Sequence, residues 1–165
     1  MSKRAKHKPI VIAVSGGFDP LHVGHVRMFK AAKRLGDKLV VILNNDNWLR
    51  AKKQHVFMPE KERTEIIAAL ESVDKVVLTR HRKNAKDMSV CAELERVRPD
   101  IFANGGDRNV QDAANPKSSL NADTLLCQKL GVKIVYNVGQ GGKVQSSSWL
   151  LKGYVERVAK PRRRH

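Results

Sequence analysis

Gly16-Gly17-Phe18-Asp19-Pro20-Leu21-His22-Val23-Gly24-His25 follows the apolar run Ile10 to Val14 and leads into a helical pattern that starts near Val23. A strand that breaks at paired glycines and re-enters as a helix leaves backbone N–H groups and a positive dipole end above the strand. That is an anion site. His22 and His25, three positions apart in the first helical turn, project to one side. Gly24 between them carries no side chain to keep a phosphate off the backbone. These residues predict two imidazole donors and bare backbone converging on one polyanion.

Outward from this turn, apolar runs alternate with segments of helical period. The runs are Ile10–Ser15, Lys38–Leu43, Lys75–Thr79, Asp100–Ala103 and Val132–Tyr136; the helical segments are 23–35, 59–72, 86–97, 121–130 and 146–158. Such alternation predicts an α/β fold, a Rossmann-like doubly wound five-stranded parallel sheet with helices on both faces. Leu39-Val40-Val41-Ile42-Leu43 is apolar throughout, as a centrally buried parallel strand is. In these sheets ligands bind beyond the carboxyl ends of the strands, where the Gly16–His25 turn falls. Gly36 is placed to cap the first helix, and Pro59 suits the first position of the second. The polar stretch 104–120 is expected to be irregular, a lid or an acceptor-binding loop.

A chain of 165 residues accommodates one domain that buries about 70% of its extended surface. The expected body is 9–158, flanked by basic tails at 1–8 and 159–165. Eight of the 32 Lys and Arg residues lie in those tails, leaving 24 against 16 acids in the body. The positive balance suits a protein that handles triphosphates, and equally one that touches nucleic acid or anionic surfaces. Only 5% of residues are aromatic and no stacking platform or recognition pattern is present, which argues against a basic nucleic-acid-binding protein. The first apolar run is too short for a signal peptide or a membrane span, so a soluble, cytoplasmic protein is expected. Cys91 and Cys127 lack metal-ligand spacing and read as reduced packing residues.

The pattern G-x-F-D-x-x-H-x-G-H, met by Gly16, Phe18, Asp19, His22, Gly24 and His25, resembles the signature of the cytidylyltransferase-like nucleotidyltransferases. That family joins a nucleotide to a phosphorylated acceptor and releases pyrophosphate. The resemblance implies a nucleoside triphosphate and a phosphorylated small molecule as partners, Mg²⁺ on the phosphates with few protein ligands, and paired subunits, a homodimer. It implies that His22 and His25 meet the phosphates, with Gly16, Gly17, Phe18, Asp19 and Gly24 in the nucleotide site. It further implies a mobile lysine after the second strand, for which Lys52 and Lys53 both qualify, and an arginine near the next helix start, Arg63, on the acceptor or a phosphate. Asp107, after the fourth strand, matches an acidic residue on the nucleotide side.

Ser146, Ser147 and Ser148 offer hydroxyl and amide donors at a helix N-terminus. They match the family's last cluster, but its arginine and second glycine are missing, which leaves Lys143 as the nearby cation for the leaving pyrophosphate. The spacing of Arg63 and the serine run leans toward the cytidylyl or sugar-phosphate branch of the resembled family; transfer of CMP is the favoured expectation, with an ATP-dependent adenylyltransferase acting on a sugar phosphate or cofactor precursor as the alternative.

Overall fold

The computed structural model describes residues 8–106, 108–139 and 145–159. The five apolar runs form β1 (Val11–Gly16), β2 (Lys38–Leu43), β3 (Lys75–Leu78), β4 (Ile101–Gly105) and β5 (Lys133–Val138). Every pairing is parallel and the order is β3-β2-β1-β4-β5. The chain winds outward from β1 to β3, then crosses back to lay β4 on the free side of β1. That reversal opens a crevice at the carboxyl ends of β1 and β4, where such sheets bind ligands.

The alternation of side chains along each strand sends its residues to two separate cores. Ile12, Val14, Leu39, Val41 and Leu43 pack with Phe29 and Ala32 of α1 (Val23–Lys33) and Ile67 of α3 (Glu60–Ala68). Ala13, Ile42 and Phe102 face the other way, onto Leu94 of α4 (Cys91–Val97), Ala113 of α5 (Val110–Ala114) and Leu120 and Cys127 of α6 (Ser119–Leu130). Helices thus cover both faces, as the doubly wound reading requires. Phe29 is fully buried at the centre of the first core; truncation to alanine there costs about 3–5 kcal/mol.

Several elements differ from expectation, each for a local reason. The helix α1 ends at Lys33, and Arg34 takes the cap position. Gly36 serves close packing instead: a Cβ there would come within 2.5–2.9 Å of Ile10 and Ile12. Pro59 is the N-cap of α3 and not its first residue. The region 86–90 stays non-helical because Asp87 holds the Ser89 amide at 2.8 Å and Asp123 holds that of Val90 at 2.8 Å.

Two helices were not legible as such: α2 (Asp46–Lys53), capped by the Asn45 side chain on the Trp48 amide, and α5, capped by Asn109 on the Asp112 amide. The second lies inside the stretch expected to be irregular. The last helix, α7, spans Ser147–Ala159. Among the described residues no helix is long and apolar enough to cross a membrane. Both cysteines are free thiols; Cys127 is buried in the second core and Cys91 donates to Asp123 Oδ1 at 3.5 Å.

Candidate active site

The turn after β1 is built around one aromatic ring. Phe18 adopts φ 49°, a left-handed conformation that costs a non-glycine residue on the order of 1–3 kcal/mol. Its ring is wedged edge-on between His25 and Phe29, at centroid distances of 4.9 and 5.0 Å. Gly16 is required because a Cβ there would stand 2.8 Å from that ring, and Gly17 because one would stand 2.8 Å from Leu49. The paired glycines therefore supply close approach, while Phe18 itself makes the bend.

His22 is the N-cap of α1, its Nδ1 accepting from the Gly24 amide at 3.1 Å. This revises the expected role of Gly24. Its N–H is already engaged, and a Cβ at this position would strike the His22 ring at 2.9 Å. The amides of His25 and Val26 likewise donate to the His22 carbonyl, at 2.9 and 3.4 Å.

The donors at this helix end are thus imidazoles more than backbone. With Nδ1 accepting, the His22 proton sits on Nε2. His25 stacks on His22 with centroids 3.7 Å apart and planes 23° apart. Burial, then the neighbouring His22 and Lys53, lowers the His25 pKa to about 3, and burial followed by Lys53 also lowers that of His22. Both rings are neutral at pH 7.

Asp19 does not reach the cavity. Fully buried, it accepts from the amides of Phe57 at 2.8 Å and Met58 at 2.7 Å, one on each carboxylate oxygen. It ties the segment after α2 to the turn. The α2 helix sends the two lysines to different sides, since consecutive helical residues diverge by about 100°. Lys53 lines the cavity, its Nζ 3.4 Å from the Asp19 carbonyl oxygen, and burial lowers its pKa. Lys52 is exposed and faces a separate shallow groove.

Arg63 is also corrected. It is fully buried and does not line the cavity; its guanidinium donates to the carbonyls of Gly17 (2.6 Å), Asn44 (2.8 Å) and Met58 (2.8 Å) and to Asp46 Oδ1 (2.7 Å). It clamps the ends of β1 and β2 together. It shares a helical stripe with Ile67 and Leu70, so the periodicity of α3 already pointed it inward.

The start of α7 closes over the turn. Ser147 Oγ donates to the Pro20 carbonyl at 2.9 Å, and Ser146 Oγ accepts from the Trp149 amide at 3.1 Å. Both line the cavity, as does the exposed Ser148. Asp107 and Lys143 lie outside the described residues.

The cavity, about 450 Å³, straddles the carboxyl end of the sheet. One wall is the turn with α1 and the start of α7. The other, on the α4–α6 face, holds Asn44, Trp48, Asn104 and Asp123. The role of this second wall was not legible from the sequence. Its one available signal is an acid in a buried stripe, since Asp123 lies in register with Leu120 and Cys127 on α6.

Among the described residues no group of three His, Cys, Asp or Glu could hold a metal ion, and Asp19 has both oxygens engaged. A Mg²⁺ that arrives with a triphosphate would be carried on phosphate oxygens and water, which suits its preference for near-octahedral oxygen ligation with few protein donors.

The cytidylyltransferase-like family model matches residues 13–138. A FAD synthase from Thermococcus sibiricus is 36% identical over 125 residues, 73% of this chain and 81% of that protein. The bifunctional protein HldE of Koribacter versatilis is 35% identical over 99 residues, 59% of this chain and only 19% of that longer protein. A lipopolysaccharide core biosynthesis protein from Thermoplasma volcanium superposes with a TM-score of 0.63 at 29% identity, covering 81% of this chain and all of that one. The carboxyl end of β1, the bend at Phe18 and the stacked imidazoles fall inside the matched segment, and the chain belongs to the cytidylyltransferase-like family of nucleotidyltransferases.

Proposed function

We propose that the protein transfers the AMP unit of MgATP to the phosphate of a small acceptor and releases pyrophosphate. The observation that carries this reading is the His22–His25 stack, held neutral beside Lys53 at the mouth of a cavity over β1. The kinship to proteins named FAD synthase favours adenylyl transfer, because FAD contains an AMP unit joined through a pyrophosphate. Transfer of CMP is the second reading; the burial of Arg63 removes one of the two features that leaned toward it.

An acceptor phosphate oxygen attacks the α-phosphorus in line; the new P–O bond forms as the bond to the β-phosphate oxygen breaks, and that oxygen leaves on pyrophosphate. The protein supplies little proton chemistry in such a transfer. Holding two polyanions in attack geometry accounts for about 7–11 kcal/mol of the barrier.

His22 Nε2–H and the His25 ring donate to the phosphate oxygens as charge builds, and Lys53 leaves the Asp19 carbonyl for the phosphates. Ser146 and Ser148 at the head of α7 meet the nucleotide from the other side, while the Ser147 hydroxyl stays on the Pro20 carbonyl. A Mg²⁺ arriving with the triphosphate would offset the charge of the phosphates.

The test combines titration with a non-hydrolysable ATP analogue and pyrophosphate release from each of the four triphosphates with a panel of phosphorylated acceptors. ATP is expected to be the donor. His25→Ala should keep the wild-type circular dichroism spectrum and lose about 10²–10³ in rate, the effect of one oxyanion-stabilising donor. Failure of the analogue to bind, or undiminished turnover in His25→Ala, ends the reading.

A further inference from the structure

The second wall of the cavity carries a mixture of polar atoms that phosphate oxygens alone cannot satisfy. Asn44 and Asn104 stand two residues beyond Ile42 and Phe102, on the α4–α6 face of the sheet, flanking the end of β1. Both are more than nine-tenths buried, at 4% and 8% exposure. Asn44 Oδ1 and Asn104 Nδ2 have no partner among the described residues, yet both side chains line the cavity. Buried amide atoms almost always have a partner, and an exception in a cavity wall points to a missing ligand.

Asp123 stands with them, reaching the same cavity from α6. Its Oδ1 accepts from the Val90 amide at 2.8 Å and from Cys91 Sγ at 3.5 Å, which leaves Oδ2 without a partner among the described residues. Burial pushes its carboxyl up to about 6. This wall therefore presents an orphan acceptor, an orphan donor and a carboxyl together.

The mixture selects among ligand groups. Phosphate oxygens only accept and would be repelled by Asn44 Oδ1 and a carboxylate. An ammonium only donates and leaves Asn104 Nδ2 unmet. A hydroxyl both donates and accepts, and a run of hydroxyls on adjacent carbons can meet all three groups. We infer that Asn44, Asn104 and Asp123 recognise the hydroxyls of the acceptor, so that the acceptor is a phosphate ester of a sugar or polyol. This rests on the nucleotidyltransferase reading above.

The experiment uses the full chain with saturating MgATP. The acceptors are hexose and pentose phosphates, glycerol 3-phosphate, single-deoxy analogues of the best of these, phosphoethanolamine and FMN. A sugar or polyol phosphate should be preferred, and removing one hydroxyl should lower kcat/KM about 10–100-fold. Asp123→Asn keeps an oxygen for the Val90 amide; it should raise KM for the hydroxylated acceptor about tenfold or more and shrink the deoxy penalty, with affinity for the ATP analogue unchanged. Asn104→Ala should do the same.

Preference for phosphoethanolamine, no use of any sugar or polyol phosphate (FMN, with its hydroxylated ribityl chain, included) despite binding of the ATP analogue, or an unchanged KM in both variants would overturn the inference. A wild-type protein that neither binds the analogue nor releases pyrophosphate fails the nucleotidyltransferase reading instead.

Discussion

The two walls of the cavity are built on opposite plans. The wall made by the turn, α1 and the start of α7 is centred on a contiguous run, 16–25, whose polar atoms are largely engaged: His22 with Gly24, Asp19 with Phe57 and Met58, and Pro20 with Ser147. The wall on the α4–α6 face comes from residues far apart in the chain, Asn44, Asn104 and Asp123, and keeps orphan polar atoms. A wall whose polar atoms are mostly engaged, with His25 Nδ1 as its one buried exception among the described residues, is largely set before any ligand arrives, which suits a phosphate chain common to all donors. A wall that leaves atoms unmet is completed by its ligand, and that is where discrimination is strongest.

The most severe way to break the first wall is to remove its clamp. Arg63→Ala leaves Asp46 without its buried partner and three carbonyls without a donor. The expected loss is about 3–5 kcal/mol of stability, read from the denaturant midpoint. A loss below 1 kcal/mol would mean that the first wall does not depend on this side chain.

Lys53→Ala should then lower turnover at least tenfold, whereas Lys52→Ala, on the exposed side of the same helix, should change it less than twofold. Equal effects would remove α2 as the element that separates the two lysines.

The walls should also respond to acid with opposite sign. His25 titrates near 3 when folded against 6.5 for its ordinary value, so between these pH values the unfolded chain binds its proton more readily. Its contribution is intact above about pH 6.5 and is lost as pH falls toward 3. Asp123 titrates near 6 when folded against 3.8, so its contribution is present below 3.8 and is lost as pH rises through 6. His25→Gln should flatten the acid side of the stability profile, and Asp123→Asn should steepen it. Thermal unfolding at half-unit pH steps between 3.5 and 7 reads both, and shifts of the same sign in the two variants would contradict the assignment.

The smallest change is expected from Ser147→Ala. It removes one buried hydrogen bond to Pro20, worth about 1 kcal/mol, and should leave turnover near wild type. A hundredfold loss of rate would instead put this hydroxyl on the nucleotide.

How much could be read beforehand follows the same division. All five strands and their joining in one parallel sheet were legible because a buried parallel strand is an unbroken apolar run, and the turn of the first wall was legible because its residues are adjacent in sequence. The α2 and α5 helices were hidden by their caps: Asn45 and Asn109 are side chains that mark loops as readily as helix starts. The family resemblance placed Arg63 on the acceptor or a phosphate. The competing signal, its stripe with Ile67 and Leu70, is the one that won. Nothing local marks Asn44, Asn104 and Asp123 as neighbours; only the crossover from β3 back to β4 brings them together.

Asp19 holds three groups of the following segment at once: two amides, of Phe57 and Met58, on its carboxylate, and the Lys53 ammonium on its carbonyl. The first two contacts are short and the third is long, at 3.4 Å. The amine can therefore swing out to an incoming anion while its pivot stays bolted to the floor, so that substrate capture bends one side chain and leaves the frame still.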